Sequence, residues 1–273
     1  MLLRVSHHTR YSFDAPVTGG LQQIRLIPKA RTSQKIRSWQ VEIEGGEKQA
    51  EFDDEHANRV ILATIDDNAE SVSIHCSGEV ETQDTQGIIG EHGGFVPLWH
   101  FRSQTRTTKP GSQIRALAKT AGSIDAGDIP RLHNLSAQVL EAMTYDKDQT
   151  HSGTLAEDAL TAGHGACQDH AHVFISAARL MGYPARYVSG YLMMDDRVEQ
   201  DATHAWAEAH VKGVGWIGFD ISNSISPDER YIRIATGLDY GECAPVTGIR
   251  YGASAEVMDV EIQVQQVGNQ IQQ

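Results

Sequence analysis

The strongest pattern of hydrophobic and polar positions lies in the second half of the chain, at residues 161–192. One helix face is apolar at i, i+3, i+4 and i+7, with Phe174, Ala177, Ala178 and Met181. Gly182 follows where a helix commonly ends, and residues 187–192 then have the composition of a strand. Cys167 comes before the apolar face, after a glycine-rich loop. The pattern therefore predicts that Cys167 lies at the start of a buried helix.

Alternation of apolar and polar residues marks the first 90 residues as a series of short strands. The clearest segments are residues 21–27, 39–43, 59–65 and 71–80. Strands at roughly ten-residue spacing, with turn residues between them, are typical of a β-sandwich. We therefore assign residues 1–90 to an N-terminal antiparallel β-sandwich domain.

The pattern changes after residue 90. Residues 91–110 contain Gly, Ser, Thr and two Pro, and we interpret them as a connection between domains. Helical spacing begins near residue 111, and Pro130 is placed to open a second helix. Thr154 and Glu157 have the spacing of a capping box before a third helix. Helices followed by strands predict an α+β region over residues 111–273.

Two strands follow the Cys167 helix, and they form the second part of the candidate site. Residues 203–211 alternate strictly, and residues 215–220 alternate again after a short connection with Gly213. A hairpin centred on Lys212 would place His204 directly opposite Asp220, with their Cβ atoms about 5 Å apart. Any loop with an odd number of residues keeps these two side chains on one face of the hairpin.

Cys167, His204 and Asp220 therefore form a candidate nucleophile, base and orienting carboxylate. Unpaired N–H groups at a helix N-terminus favour a thiolate at Cys167. The His204 imidazole would take the thiol proton, and Asp220 would fix its tautomer and stabilise the imidazolium. The backbone N–H of Cys167 would supply part of an oxyanion hole, and we expect a second donor nearby. This chemistry requires no cofactor and no metal.

A zinc site is the main alternative in the same segment. The possible ligands are His164, Cys167, His170 and His172. On a helix, however, His170 and His172 point about 200° apart, so they cannot both face one ion together with Cys167. The alternative for His170 and His172 is a purely structural role, in packing or in a hydrogen bond near the helix cap. Asp169, in the first turn, is expected to cap the helix. Trp206 is expected to shield the His204–Asp220 pair from water, to line the substrate cleft or to pack in the core.

Composition narrows the range of partners and compartments. The 273 residues carry a net charge of −13, which argues against nucleic acid or an anionic membrane as the main partner. The first residues show no sustained apolar segment of the kind found in signal peptides. The chain has three cysteines, Cys76, Cys167 and Cys243, and a sparse, odd count suits a reducing cytoplasm. We expect a cytoplasmic protein, and its oligomeric state stays open.

Three blocks of the sequence resemble the transglutaminase-like superfamily of cysteine enzymes, in its bacterial two-domain form. The blocks are the nucleophile segment GACQDHAHVFISAARLMGYPARYVSGYL, the HAWAE segment and the GWIGFD segment. The segments HHTRYSFDAPV and LDYGECAPVTGIRYG are also similar to parts of these proteins. The resemblance implies a papain-like, transglutaminase-like core after the N-terminal sandwich, with Cys167 as nucleophile, His204 as base and Asp220 as orienting carboxylate.

The sequence departs from the family pattern immediately after the carboxylate. Members of the family usually continue this Asp with Pro-Thr-Asn, whereas Asp220 is followed by Ile221, Ser222 and Asn223. The last position is kept, and the missing Pro changes the way in which the chain leaves the site.

The leading hypothesis from the sequence is a cysteine-dependent amide hydrolase, a peptidase or amidase that forms a thioester acyl-enzyme with a peptide or protein substrate. Protein-glutamine gamma-glutamyltransferase (transglutaminase) activity is the first alternative, because it uses the same triad with an amine in place of water. A non-catalytic binding module of the same fold is the second. The sequence does not separate the first two hypotheses, and the intact triad argues against the third.

Overall fold

The computed structural model describes residues 1–123, 125–253 and 255–268. In chain order, the strands are β1 (Leu2–Val17), β2 (Gly19–Ile24), β3 (Gln34–Glu44), β4 (Gly46–Asp53), β5 (Arg59–Ile65), β6 (Ala69–Thr82), β7 (Ile88–Gly90), β8 (Thr144–Tyr145), β9 (His164–Gly165), β10 (Ala185–Leu192), β11 (Glu199–Gln200), β12 (His204–Val211), β13 (Gly215–Phe219), β14 (Tyr231–Gly237), β15 (Val246–Tyr251) and β16 (Glu256–Gln266). The helices are α1 (Ser112–Gly122), α2 (Asp128–Ala142), α3 (Ala156–Ala162), α4 (Cys167–Leu180) and α5 (Tyr240–Cys243), and a 3-10 helix spans Leu98–Arg102. Strands and helices are both abundant, and the predicted α+β class is confirmed.

Two antiparallel sheets form the sandwich that the N-terminal alternation predicts. One has the strand order β11-β16-β1-β6-β3, and the other has the order β15-β2-β5-β4. Ile24 and Ile61 from the second sheet pack with Ile74 and Cys76 from the first. These side chains are almost fully buried, and burying each Ile side chain contributes roughly 1.5–3 kcal/mol. The alternating apolar residues of the two sheets therefore make one shared core.

The last two strands belong to these N-terminal sheets and not to the C-terminal region in which the sequence analysis placed them. β16 pairs with β1, with Val264 opposite Val5, and β15 pairs with β2. Alternation identifies a strand but not its partner, so the pattern could not show this return of the chain. The proposed boundaries at residues 90 and 110 stay a prediction. Residues 124, 254 and 269–273 of the region assigned to 111–273 lie outside the described residues.

A third antiparallel sheet, with the order β14-β10-β12-β13-β7, forms the centre of the other half of the molecule. Ala205, Ala207 and Ala209 on one face of β12 share an apolar cluster with the buried residues of α4, such as Phe174. The small alanine side chains let the helix lie close to the sheet. The opposite face of β12 carries the polar and aromatic residues His204, Trp206 and Glu208. Packing of α4 on this sheet therefore brings the N-terminus of the helix close to the strand that carries the candidate base.

The hairpin of β12 and β13 keeps the predicted face but not the predicted register. Val211 pairs with Gly215 and Ala207 pairs with Phe219, so the hairpin is centred on Gly213 and not on Lys212. A three-residue turn centred on Lys212 would take Val211 out of its strand, whereas Val211 is paired with Gly215. The loop has three residues, and Gly213 adopts a positive φ of 82° there. His204 and Asp220 are consequently diagonal neighbours on one face.

The predicted capping box at Thr154 is wrong, although Glu157 caps a different helix. Helix α3 begins at Ala156, and the Thr154 hydroxyl accepts a hydrogen bond from the His151 backbone N–H at 3.0 Å. The Glu157 carboxylate instead accepts from the first N–H groups of α1, at Gly111, Gln113 and Ile114. The carboxylate satisfies donors that would otherwise have no intrahelical acceptor. Glu157 thus stabilises a neighbouring helix, an interaction that local spacing cannot reveal.

Membrane insertion through helices is not supported by the lengths and compositions of these elements. Helix α2 has 15 residues and α4 has 14. Within residues 1–123, 125–253 and 255–268, none of the helices combines the length and the apolar character that a membrane crossing needs.

Candidate active site

Cys167 is the first residue of α4, in the position that the sequence predicts, and its side chain is partly exposed. The Asp169 carboxylate holds the chain in front of it. Its Oδ2 accepts from the Ala166 N–H at 2.9 Å and from the Thr150 hydroxyl at 2.6 Å. The predicted capping role of Asp169 is confirmed by these contacts. The positive end of the helix dipole therefore faces the thiol, which favours negative charge on the sulfur.

Gly165 allows the loop before Cys167 to pass close to the helix. A Cβ atom at this position would lie 2.6 Å from Cβ of Asp169. Real Cβ contacts of this length do not occur, so a larger residue would displace the capping carboxylate and, with it, the chain that leads to Cys167. A glycine two residues before the thiol is therefore required by packing.

His204 is almost fully buried and lies between the other two predicted site residues. Its Nε2 is 2.6 Å from Oδ2 of Asp220, which leaves Nδ1 as the ring nitrogen that can exchange a proton with Cys167. Burial, the largest influence, lowers the pKa of His204. Hydrogen bonds to Asp220 and Cys167, together with their negative charge, outweigh burial and raise the pKa to about 10. The site therefore favours an imidazolium at His204.

Asp220 is fully buried, and its carboxylate is held by several donors. Oδ2 receives hydrogen bonds from His204 at 2.6 Å, from the Tyr231 hydroxyl at 2.7 Å and from the Asn223 amide at 2.7 Å. Burial acts to raise the pKa of Asp220. The hydrogen bond and charge of His204 and the bonds from Tyr231 and Asn223 outweigh burial, so the pKa lies below its usual value. The carboxylate stays ionised beside the imidazolium.

The departure from the family's Asp-Pro-Thr-Asn pattern is compatible with the contacts around Asp220. Asn223 keeps its hydrogen bonds to the carboxylate through both its side chain and its backbone N–H. Ile221 is buried, and the Ser222 hydroxyl lies 2.8 Å from Nδ1 of His170. The chain turns back at once, because Asp220 forms a bridge with Ile225. The turn thus returns Asn223 to the carboxylate without the Pro.

Two aromatic side chains cover the buried side of the His204–Asp220 pair. The Trp206 ring is stacked at 6.2 Å from the His204 ring, and the Tyr231 ring lies 6.0 Å from it. Trp206 is 1% exposed and Tyr231 is 5% exposed. They keep water from the pair on this side and thereby strengthen its electrostatic interaction. Trp206 consequently acts both as a shield and as a core residue, which are two of the three interpretations that the sequence leaves open.

Tyr145 is a neighbour of the site that the sequence analysis missed. The short strand β8 runs parallel to β9 and places Tyr145 opposite Gly165, two residues before Cys167. The Tyr145 ring lies 6.3 Å from the His170 ring, and about half of its side chain is exposed. Burial, followed by the negative charges of Cys167 and Asp220, raises its pKa above the usual value, so its hydroxyl stays a donor. A two-residue strand leaves no periodic signal in the sequence, and no other signal pointed to it.

The histidines of the zinc alternative are directed to different parts of the protein. His170 Nδ1 lies 2.8 Å from the Ser222 hydroxyl oxygen, and its Nε2 lies 3.3 Å from the Met143 carbonyl oxygen. His172 Nε2 accepts from the Tyr240 N–H at 3.1 Å, and burial lowers its pKa to about 4. In the part of the chain that the structure describes, no three His, Cys, Asp or Glu side chains are grouped as metal ligands. The contacts of His170 and His172 are those of neutral, structural histidines.

Comparison with known families assigns both halves of the molecule. Residues 115–221 match the transglutaminase-like superfamily, and residues 3–81 match the bacterial transglutaminase-like N-terminal region. The chain therefore carries a transglutaminase-like core region, preceded by a bacterial transglutaminase-like N-terminal region. The superfamily match includes Cys167, His204 and Asp220.

Individual proteins are similar to different shares of the chain. An uncharacterized protein of Mycobacterium leprae is 26% identical and covers 96% of this chain and 98% of its own length. An uncharacterized protein of Mycobacterium tuberculosis is 37% identical over 49% of this chain and 46% of its own length. The crystal structure of a candidate cysteine protease from Cytophaga hutchinsonii has a TM-score of 0.76 at 22% identity, and covers 97% of this chain and 91% of that chain. At this identity, the similarity to the crystal structure establishes the fold alone.

Proposed function

We propose that this protein is a cysteine-dependent amide hydrolase that acts on peptides or proteins through a thioester acyl-enzyme. The observation that carries the proposal is the position of His204. It is hydrogen-bonded to the buried carboxylate of Asp220 and to the thiol at the N-terminus of α4. Nucleophile, base and orienting group are thereby connected in one line, which is the arrangement that acyl transfer by a thiol requires.

Acylation follows from these contacts in two steps. The thiol proton already lies on His204 Nδ1 in the resting thiolate–imidazolium pair. The Cys167 sulfur forms a bond to the carbonyl carbon, and an electron pair moves to the carbonyl oxygen. The Cys167 N–H donates to this oxyanion. The oxyanion then reforms the carbonyl, the C–N bond breaks, and the imidazolium gives its proton to the leaving amine. Asp220 stabilises the imidazolium in the interval and holds the ring through Nε2.

Deacylation reverses these roles with water. His204 takes a proton from a water molecule that attacks the thioester carbon, and the C–S bond breaks as the thiolate leaves. An amine in place of water would give transamidation instead, with the same residues and the same intermediate. Adding a fluorescent primary amine to the assay distinguishes the two reactions, because transamidation attaches the label to the acyl product while hydrolysis leaves a free carboxylate.

The second oxyanion donor is proposed to be the Tyr145 hydroxyl. It stays protonated, is partly exposed beside Cys167, and reaches the site from a different strand. We expect Tyr145→Phe to lower kcat by about 10²-fold or more, with little change in KM, because the bond forms with the transition state. The kinetics of a peptide p-nitroanilide cleaved by the protein measure this effect. Tyr251→Phe, at an exposed tyrosine of β15, is the matched control, and equal kcat in both variants would contradict the assignment.

Alkylation of Cys167 tests the proposed thiolate–imidazolium pair without a known substrate. We expect iodoacetamide to label Cys167 rapidly at pH 6, at a rate that changes little up to pH 9, because His204 stays protonated below its pKa of about 10. In His204→Ala, labelling should become slow at pH 6 and should accelerate only in alkaline solution. Ordinary thiols behave in this way because their pKa is about 8.5. Peptide mass spectrometry gives the rate at each pH.

The outcome of this labelling experiment also decides between an enzyme and a binding module. A thiol that reacts equally slowly at pH 6 in both proteins would mean that the triad is not functional, and would favour the non-catalytic alternative. The buried thiol of Cys76 is an internal reference, because burial raises its pKa to about 12. It should stay unlabelled in the folded protein at every pH used.

Compartment and partners follow from the same chemistry. The three cysteines are free thiols. A nucleophilic thiol must stay reduced, so we propose that the protein works in the cytoplasm. The net charge of −13 supports a peptide or protein substrate over nucleic acid or an anionic membrane surface.

A further inference from the structure

A small cavity lies between the N-terminal sandwich and the sheet β14-β10-β12-β13-β7, on the face of that sheet that carries Trp206. Its volume is about 40 Å³. The lining residues that matter here are Arg31, Gln34, Trp206, Asp228, Tyr231 and Arg233. One water molecule needs roughly 10–15 Å³ of such a space. The cavity is therefore large enough for one small ion or a few water molecules, and too small for a nucleotide, a sugar or a peptide.

The charges around this cavity do not balance. Arg186 and Arg233 are both almost fully buried and share one carboxylate, that of Glu208, with closest distances of 2.6 Å from each Nε. Arg233 and Arg31 line the cavity, and Arg186 lies beside it through the shared Glu208. Burial followed by the charge of Arg233 lowers the pKa of Arg31. Lys29 lies behind them, and burial together with these arginines holds its pKa well below the usual value. Three guanidinium groups thus face a single buried carboxylate.

The other carboxylate at the cavity is already neutralised. Asp228 accepts hydrogen bonds from the guanidinium of Arg230, at 3.0 Å from Nε and 2.7 Å from Nη2. Gln34 uses its side chain for backbone groups, since its Nε2 donates to the carbonyl oxygens of Lys29 and Arg233. Neither side chain therefore supplies a counter-charge to Arg31, whose side chain is partly buried.

Two buried donors of the lining residues also need acceptors. Arg233 Nη1 and Trp206 Nε1 have no hydrogen-bond acceptor among the described residues, although both atoms are fully buried. Arg233 is 5% exposed and Trp206 is 1% exposed. A buried N–H without an acceptor is unfavourable, and more so when it carries charge. Water could accept these hydrogen bonds, but it would leave the excess positive charge in place.

We infer that this cavity is a binding site for a small monovalent anion, held by Arg31, Arg233 and the indole N–H of Trp206. An anion such as chloride or formate has the size of the cavity, accepts hydrogen bonds from guanidinium and indole groups, and offsets the excess charge. The inference does not depend on the proposed reaction, because it rests on charge, volume and donors that do not touch Cys167.

The site would stabilise the contact between the two halves of the molecule. Arg31 belongs to the N-terminal region, whereas Trp206 and Arg233 lie on β12 and β14. The Trp206 and Tyr231 rings pack edge to face at 5.4 Å, and Tyr231 donates to Asp220. An anion on these residues would therefore also hold the support of Asp220 in position.

Thermal unfolding at constant ionic strength tests the inference. Sodium gluconate is replaced stepwise by sodium chloride or by sodium formate, since gluconate is too large for 40 Å³. We expect a saturable rise in Tm of about 4 °C or more for at least one of the small anions. Chloride and formate arms show whether a halide or a small carboxylate is preferred. A Tm that is the same in all three salts would overturn the inference.

Matched variants connect the effect to this cavity. Arg31→Gln should lose at least half of the anion-dependent rise in Tm. Arg4→Gln removes the same charge from an exposed pair with Glu79, and should keep the full rise. Equal anion dependence in the two variants would overturn the site. As a second readout, crystals soaked in sodium bromide should show anomalous scattering beside Arg233 and Trp206, and bromide found only on the outer surface would also overturn it.

Discussion

Cys167→Ala is expected to abolish turnover, with a loss of kcat of at least about 10⁴-fold, because no other group can form the acyl-enzyme. The measurement is hydrolysis of the best substrate found among peptide p-nitroanilides. Intact-mass spectrometry of the quenched reaction adds a second readout. Wild-type protein should gain the mass of the acyl group, and the variant should gain none. The thioester intermediate of the proposed mechanism is thereby observed directly.

Cys76→Ala is the control for this first prediction. Cys76 lies in the core of the N-terminal sandwich, so its replacement also removes a thiol but leaves the site untouched. It should keep wild-type kcat in all molecules that fold, as judged by circular dichroism. If Cys167→Ala retained the activity of the wild-type protein, the nucleophile would be another group and the proposed mechanism would be wrong.

Glu208→Gln is expected to lower the free energy of unfolding by about 3–5 kcal/mol, because it leaves two buried arginines without their carboxylate. Glu208 is fully buried on β12 and bonds Arg186 from β10 and Arg233 from β14. Burial acts to raise its pKa, but the two arginines outweigh burial and lower the pKa to about 2. Gln has nearly the same shape, so the loss reports the missing charge and not a cavity.

Unfolding in guanidinium chloride, followed by circular dichroism, measures this second prediction. Glu79→Gln is the matched control, since the exposed Arg4–Glu79 pair should contribute only about 0–1 kcal/mol. A folded-state pKa below the unfolded value stabilises the protein at high pH. The contribution of Glu208 should therefore be complete above about pH 4.5 and be lost as the pH falls toward 2. Equal effects of the two substitutions would contradict the role given to Glu208.

Local patterns were sufficient to predict the parts of the fold that depend on short-range chemistry. The apolar face at Phe174 and Ala177 located α4, and the residues before it located Cys167 at the helix start. Alternation on either side of Gly213 located the hairpin and put His204 and Asp220 on one face. These predictions succeeded because helix and strand periods are properties of neighbouring residues.

Apart from the register of the local hairpin, the contacts that were missed join residues far apart in the chain. The register of the hairpin was wrong by two residues, because alternation fixes the face of a strand and not the length of its turn. The two-residue strand β8 places Tyr145 opposite Gly165, two residues before Cys167. Glu157 caps a helix that precedes it by more than 40 residues. The cluster around Glu208 draws on three strands. Long-range pairing of this kind leaves no periodic trace in one sequence.

The path of the chain has a consequence for any attempt to produce the two halves separately. The N-terminal sandwich is completed by β15 and β16, which come from the other end of the sequence. A protein truncated near residue 110 would keep β1 and β2 but expose a bare edge on each of their sheets. Unprotected edges of this type recruit strands from other molecules, so such a fragment should aggregate. A circularly permuted gene that starts in the segment 91–110 would instead supply every strand of the sandwich except the two-residue β11 from one contiguous stretch of chain.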